Sequence, residues 1–103
     1  MKIQGSTSDI LKIIEENPVE ILKTTYRGIE IAFNNNQKSA FLFEIEAQEF
    51  VNVLEISIPS KDWEKALLNC LEQFEKFELF DDALDTYLLI KKLNPNFARN
   101  EKT

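Results

Sequence analysis

The chain has 103 residues, no histidine, one cysteine and two glycines, and its formal net charge is −6. Histidine is the usual general base near neutral pH and the commonest metal ligand, and glycine-rich loops are what cradle phosphates. The composition therefore disfavours an enzyme and predicts no catalytic residue, no cofactor and no metal site. A hydrophobic fraction of 44% in a chain of this length predicts one folded domain.

The negative charge lies in the middle of the chain. Residues 28–59 carry five acids and one lysine, residues 60–89 carry eight acids and three lysines, and the last residues are basic. Phosphate contacts need clustered lysine and arginine, so direct nucleic-acid binding is disfavoured. No run approaches the ~20 apolar residues that span a bilayer, and no signal-like segment is evident at the N-terminus. We expect a cytoplasmic protein with no membrane contact.

The first predicted element is a helix that begins near Ser6. The hydroxyl and carboxyl groups of residues 6–9 can accept the free backbone N–H groups of a first helical turn. The helix should end near Asn17, because the residue before Pro18 avoids the helical region. Asn17 and Pro18 could themselves start a second helix, whereas residues 24–26 favour a strand. Residues 18–25 therefore stay open between helix and strand.

Between residues 26 and 58 the apolar residues recur with a period of two. This pattern predicts three strands, carrying Ile29, Ile31 and Phe33, then Phe41, Phe43 and Ile45, then Leu54, Ile56 and Ile58 within a run from Phe50 to Ile58. A polar stretch at residues 34–37 suits the first turn. Short connections between consecutive strands favour an antiparallel meander.

Two helices are predicted after the strands. The first carries an apolar stripe from Trp63 to Phe77, and the second runs from about Asp81 to Leu93. We expect this helical hairpin to pack on one face of the sheet. The predicted fold is thus α+β, with one or two N-terminal helices, a three-stranded antiparallel meander and a C-terminal helical hairpin. The domain should span residues 1–96, followed by a flexible basic tail at 97–103.

Part of the hairpin resembles a tetratricopeptide repeat. Phe80, Ala83 and Tyr87 stand at the spacing where that family places an aromatic, a small and an aromatic residue, and residues 93–96 resemble its helix-ending tail. Leu71 departs from the pattern, which has a small residue there. The resemblance covers a single unit at about 67–96, whereas such arrays need about three repeats. It implies protein binding.

The outward positions of the predicted strands are acidic. With Ile29, Ile31 and Phe33 pointing inward, the outward side chains are Glu30, Leu42, Glu44, Glu46, Val51, Val53 and Glu55. Four carboxylates would then share a surface without a basic residue, beside a few apolar side chains. One interpretation is a docking face for a basic partner, and the other is an ordinary solvated sheet face. The predicted partner-binding residues are Glu30, Leu42, Glu44, Glu46, Val53 and Glu55.

The function that these patterns favour is protein binding without catalysis. A small acidic domain could occlude a basic protein partner in the manner of an inhibitor, an immunity protein or an anti-defence protein. The alternative is a structural, adaptor or chaperone subunit that forms a homodimer or joins a larger assembly.

Overall fold

A computed structural model describes residues 1–49 and 51–98. In chain order its elements are β1 (Lys2–Gly5), α1 (Thr7–Glu16), α2 (Pro18–Asn34), β2 (Ser39–Ala47), β3 (Leu54–Pro59), α3 (Trp63–Lys76) and α4 (Phe80–Leu93), with a 3₁₀ turn at Ser60–Asp62 before α3. The predicted α+β class is confirmed. The three strands form one sheet in the order β1-β2-β3, in which β1 is parallel and β3 antiparallel to β2.

The sheet is mixed, so the predicted antiparallel meander is wrong: its first predicted strand does not form, and β1 pairs in parallel with β2 instead. The sequence prediction missed β1, whose Ile3 is 2% exposed while Lys2 and Gln4 face solvent. Parallel strands cannot be joined by a tight turn, and here α1 and α2 together make the crossover. Gly5, with a φ of +136°, turns the chain from β1 into α1.

The residues predicted as the first strand form the end of α2. This helix begins at Pro18, directly after Asn17, so residues 18–25 are helical. Ile29 is fully buried and Ala32 is 1% exposed, whereas Ile31 is 52% exposed. The buried residues therefore recur every three to four positions, as in a helix, and not every two, as in a strand. A helix places Ile31 on the opposite side from Ile29.

Helix α1 begins and ends as the sequence predicts. The Ser6 hydroxyl accepts the Asp9 amide at 3.2 Å, and the Asp9 carboxylate accepts the Ser6 amide at 3.4 Å, which completes a capping box. Asn17 ends the helix by donating its side-chain amide to the Ile13 carbonyl at 2.7 Å. The two helices of the crossover are therefore separated by a single residue, Asn17, and Pro18 is the first residue of α2.

Helix α2 packs on the inner side of the sheet at unusually close range. A Cβ on Gly28 would lie 2.6 Å from the Phe41 carbonyl oxygen and 2.8 Å from the Leu42 side chain. Only glycine fits this approach, because the nearest atom belongs to the β2 backbone and cannot turn away. Another face of α2 carries the Leu22 carbonyl, which accepts a weak hydrogen bond from the Cys70 thiol at 3.7 Å.

Helices α3 and α4 form the predicted hairpin, but it packs mainly against α2 and not on a sheet face. The inner face of the sheet is already covered by α1 and α2, which leaves α2 as the surface open to the hairpin. The Trp63 indole N–H donates to the Ile58 carbonyl at 2.8 Å and ties the start of α3 to the end of β3. Phe97 packs edge-to-face on Tyr87, with ring centroids 6.1 Å apart, and residues 99–103 of the predicted tail lie outside the described residues.

The close contact at Gly28 predicts that a larger residue at this position lowers the stability of the fold. Gly28→Ala should lower the free energy of unfolding by about 1–3 kcal/mol, because the added methyl group overpacks the α2–β2 contact. Urea unfolding followed by circular dichroism measures the change. Arg27→Ala, at the neighbouring exposed position, is the control and should stay within about 0.5 kcal/mol. A gain in stability of Gly28→Ala, as at an exposed helical glycine, would contradict the close contact.

Candidate functional site

The two faces of the sheet have opposite character. The inner face carries apolar side chains that pack against α1 and α2. The opposite face, called the outer face below, carries Lys2, Gln4, Phe41, Glu44, Glu46, Glu55 and Ser57. Glu44 is half-buried and the others are exposed. The outer face is therefore a mainly charged surface around one large aromatic side chain.

A β-bulge decides which side chains of β2 reach the outer face. Phe41 pairs with Ser57 and Phe43 pairs with Ile56, so Leu42 is an extra residue on β2. The insertion changes the alternation: Leu42 is 6% exposed and inward, whereas Phe41 is 46% exposed and outward. The strict alternation assumed from the sequence gave the reverse assignment for both residues.

The structure brings together only part of the predicted surface. Glu44, Glu46 and Glu55 share the outer face, and Val53 is exposed just before β3 begins. The expected outward position of Leu42 is wrong because of the bulge. The expected position of Glu30 is also wrong, because it lies on α2, behind the sheet.

A lysine also stands on the outer face, where the sequence predicted no basic residue. The Lys2 ammonium lies 3.0 Å from Glu46 Oε1, and the Gln4 side-chain amide donates to the same oxygen at 3.0 Å. The hydrogen bond and the opposite charge raise the pKa of Lys2 and lower the pKa of Glu46. Glu46 is therefore already paired within the protein.

Glu44 and Glu55 differ from Glu46. They lie directly opposite each other on β2 and β3, and neither carboxylate makes a hydrogen bond or an ion pair with another described residue, although the charge of Glu44 contributes to the raised pKa of Lys2. Like charges at opposite positions on neighbouring strands destabilise a sheet. Phe41 lies on the same face of β2 as Glu44. The arrangement can accept a lysine or arginine between two carboxylates, next to an aromatic ring.

Glu30 belongs to a separate cleft of about 350 Å³ between α2 and α4. The Tyr26 hydroxyl donates to Glu30 Oε2 at 3.1 Å, and Lys23 lies 3.9 Å from Asp82 across the cleft. Burial, together with the negative charge of Glu30, raises the pKa of Tyr26 to about 12. These partners make Glu30 part of the contact between α2 and α4.

Other kinds of site find little support in the part of the chain that the structure describes. It contains no group of three or more side chains suited to hold a metal ion. None of its helices has the length and apolar character needed to cross a bilayer. Cys70 is 1% exposed, and burial raises the pKa of its thiol to about 11, which disfavours the reactive thiolate.

No family model matches the sequence, and no curated protein or solved structure resembles it significantly. Inference about function therefore rests on the surfaces of this chain itself.

Sequence reasoning missed three residues of the outer face. Lys2 and Gln4 flank the apolar Ile3 in an alternating pattern that signals a short strand, although four residues are few for such a pattern. Phe41 could not be placed outward from the sequence, because nothing in residues 39–47 marks the bulge. The acidic residues of β2 and β3 were found because the alternation is regular beyond the bulge.

The pair Glu44–Glu55 makes a prediction about stability. Glu55→Lys should raise the free energy of unfolding by about 0.2–1 kcal/mol, because an attractive cross-strand pair replaces a repulsive one. Chemical unfolding at low ionic strength measures the gain. At 1 M salt the gain should shrink, since exposed charges are screened. A loss of stability at both ionic strengths would show that the two carboxylates do not repel each other.

The raised pKa of Tyr26 predicts how the stability of the protein depends on pH. The folded protein holds the phenol proton up to a pKa of about 12, against an ordinary value of 10.0. The folded state therefore binds more protons than the unfolded state between about pH 10 and 12, and stability should fall with rising pH in this window. Ultraviolet titration of tyrosine measures the pKa. Tyr26→Phe should remove the late ionisation, and Tyr87→Phe should retain it.

Proposed function

We propose that this chain binds a basic region of another protein through its outer sheet face and thereby occludes it, without catalysis. The observation that carries the proposal is the cross-strand pair Glu44–Glu55, whose carboxylates form no ion pair with a described residue, beside the exposed ring of Phe41. Such a protein would act as an inhibitor, an immunity protein or an anti-defence protein.

Electrostatic interactions at the pair Glu44–Glu55 favour the bound state over the free state. In the free protein the two carboxylates repel each other across the strands. A lysine or arginine of the partner, placed between them, replaces this repulsion by two attractive contacts. The net charge of −6 also steers a basic partner towards the protein, which raises the association rate more than the affinity.

The apolar part of the surface supplies an anchor. Phe41 is an aromatic side chain on the central strand, 46% exposed, with charged neighbours on its own face. Interfaces commonly concentrate their binding energy in a few aromatic residues surrounded by polar ones. Phe41 therefore takes the place that the sequence prediction gave to Leu42.

The alternative function, a structural, adaptor or chaperone subunit, has a different supporting observation. Strand β3 is an edge of the sheet, and its Leu54 is 44% exposed. An edge strand offers unpaired backbone groups to a strand of another chain. An assembly through this edge would be held by backbone hydrogen bonds and apolar contacts, so it would resist salt.

The proposal predicts which substitutions abolish partner capture. Glu44→Gln combined with Glu55→Gln should weaken retention of the partner from native cell extract about tenfold or more, because both charge-assisted contacts are lost. Glu15→Gln combined with Glu16→Gln is the control. It removes the same charge from exposed positions on α1 and should leave retention unchanged. Mass spectrometry of the retained proteins at low and high salt measures the difference.

The outcomes separate the two functions. A basic protein that is released by salt, and lost from the outer-face variant alone, supports occlusion of a basic partner. Equal loss from both variants would mean that only the total charge matters, and equal retention would contradict the outer face as the binding surface. A partner retained at high salt by all three proteins would favour assembly through the β3 edge.

A further inference from the structure

Helix α4 exposes a row of large apolar side chains. Phe80, Leu84 and Leu88 follow one another at intervals of four residues, and they are 63%, 56% and 49% exposed. Residues four apart lie on one face of a helix, so the three side chains form a stripe along α4. The opposite face of the helix is occupied, since Ala83, Thr86 and Ile90 are buried. A contiguous exposed apolar stripe of this kind marks an interaction surface.

The charges beside the stripe change sign along the helix. Asp81 stands in the first turn and Lys92 in the last turn, and helical spacing puts both on the same flank of the stripe. Both are exposed, and neither side chain makes a hydrogen bond or an ion pair with another described residue. The first half of this surface is therefore acidic and the second half basic.

We infer that the stripe binds a second copy of this chain, with the two α4 helices antiparallel about a twofold axis. A surface that is acidic at one end and basic at the other is complementary to itself when it is reversed. In an antiparallel pair Leu84 of each copy packs against Leu88 of the other, and Phe80 covers the aliphatic stem of Lys92.

The twofold axis also brings like flanks together. Asp81 of each copy then meets Lys92 of the other, which gives two symmetric ion pairs at the ends of the apolar contact. Asp85 lies on the same flank, since helical spacing puts it within about 20° of Lys92, and it adds to the acidic half of this surface. The two helix dipoles are also antiparallel in this arrangement, and antiparallel neighbouring dipoles attract each other.

The size of the contact limits its strength. Helix α4 has 14 residues and is therefore about 21 Å long. One pair of such helices buries less than the ~1,200 Å² of a standard stable interface. We expect a dimer that dissociates on dilution, with a dissociation constant on the order of micromolar.

This dimer is independent of the proposed binding of a basic partner. Helix α4 packs mainly against α3, whereas the outer sheet face lies beyond α2 in another layer. A dimer would therefore present two acidic sheet faces and bind a partner through each.

Analytical ultracentrifugation of the full chain over a range of concentrations tests the inference. Leu84→Glu should weaken the dimer by about tenfold or more, because it puts a charge into the apolar contact. Leu11→Glu is the matched control, since Leu11 on α1 is likewise 56% exposed. A wild-type chain that stays monomeric throughout, or equal loss in both variants, would overturn the inference.

A charge exchange tests the orientation of the helices. Asp81→Lys and Lys92→Asp should each weaken the dimer, and the double variant should restore it. Both changes also oppose the dipole of α4, so the unfolding temperature should fall further in the double variant than in either single one. Recovery of the dimer together with this lower unfolding temperature separates pairing from folding. A dimer that the double variant weakens further would contradict the Asp81–Lys92 contact.

Introduced cysteines test the register. Oxidative cross-linking should join Leu84→Cys to Leu88→Cys faster than it joins either variant to itself, because the antiparallel register puts unlike positions opposite each other. Cys70 is 1% exposed, so the introduced thiols alone should react. Faster joining of like positions would indicate another arrangement and would overturn the proposed register.

Discussion

The close contact between α2 and β2 at Gly28 is the constraint on which the rest of the fold depends. Because a hydrogen stands where other residues have Cβ, the helix reaches the backbone of the central strand. The same helix receives the α3–α4 hairpin on another face, where Cys70 contacts the Leu22 carbonyl. Helix α2 is thus the element that joins the sheet to the hairpin, and its distance from β2 sets the position of both.

The bulge at Leu42 affects both faces of the sheet. One extra residue on β2 turns Leu42 into the core and Phe41 to the surface. Leu42 then packs near Gly28, while Phe41 supplies the apolar centre of the outer face. The same insertion therefore serves the stability of the α2–β2 contact and the composition of the candidate binding surface.

The outer sheet face and the apolar stripe of α4 differ in the charges that surround them. On the outer sheet face the charges are unbalanced, since Lys2 pairs with Glu46 and leaves Glu44 opposite Glu55. On α4 the three aspartates stand in the first half of the helix and the two lysines in its last turn. A predominantly acidic surface favours a partner of opposite charge, whereas a surface with opposite charges at its two ends favours a reversed copy of itself. The arrangement of charge, and not its total, distinguishes the two kinds of partner.

The sequence by itself determined the elements whose signals are local. The capping box at Ser6, the end of α1 before Pro18 and the two C-terminal helices follow from spacing and capping chemistry within one or two turns. The inward positions of Leu54, Ile56 and Ile58 follow from regular alternation in β3, and so do the outward positions of Glu44, Glu46 and Glu55.

Tertiary structure decided the features that depend on distant residues. Ile29, Ile31 and Phe33 recur every two residues, which is typical of a strand. The segment is nevertheless helical, because a helix buries Ile29 and Ala32 against the rest of the core. Strand β1 is too short to be stable alone and exists because β2 offers it hydrogen-bonding partners. The bulge and the packing of the hairpin on α2 likewise depend on which surfaces meet in space. The spacing of residues along the chain does not predict these contacts.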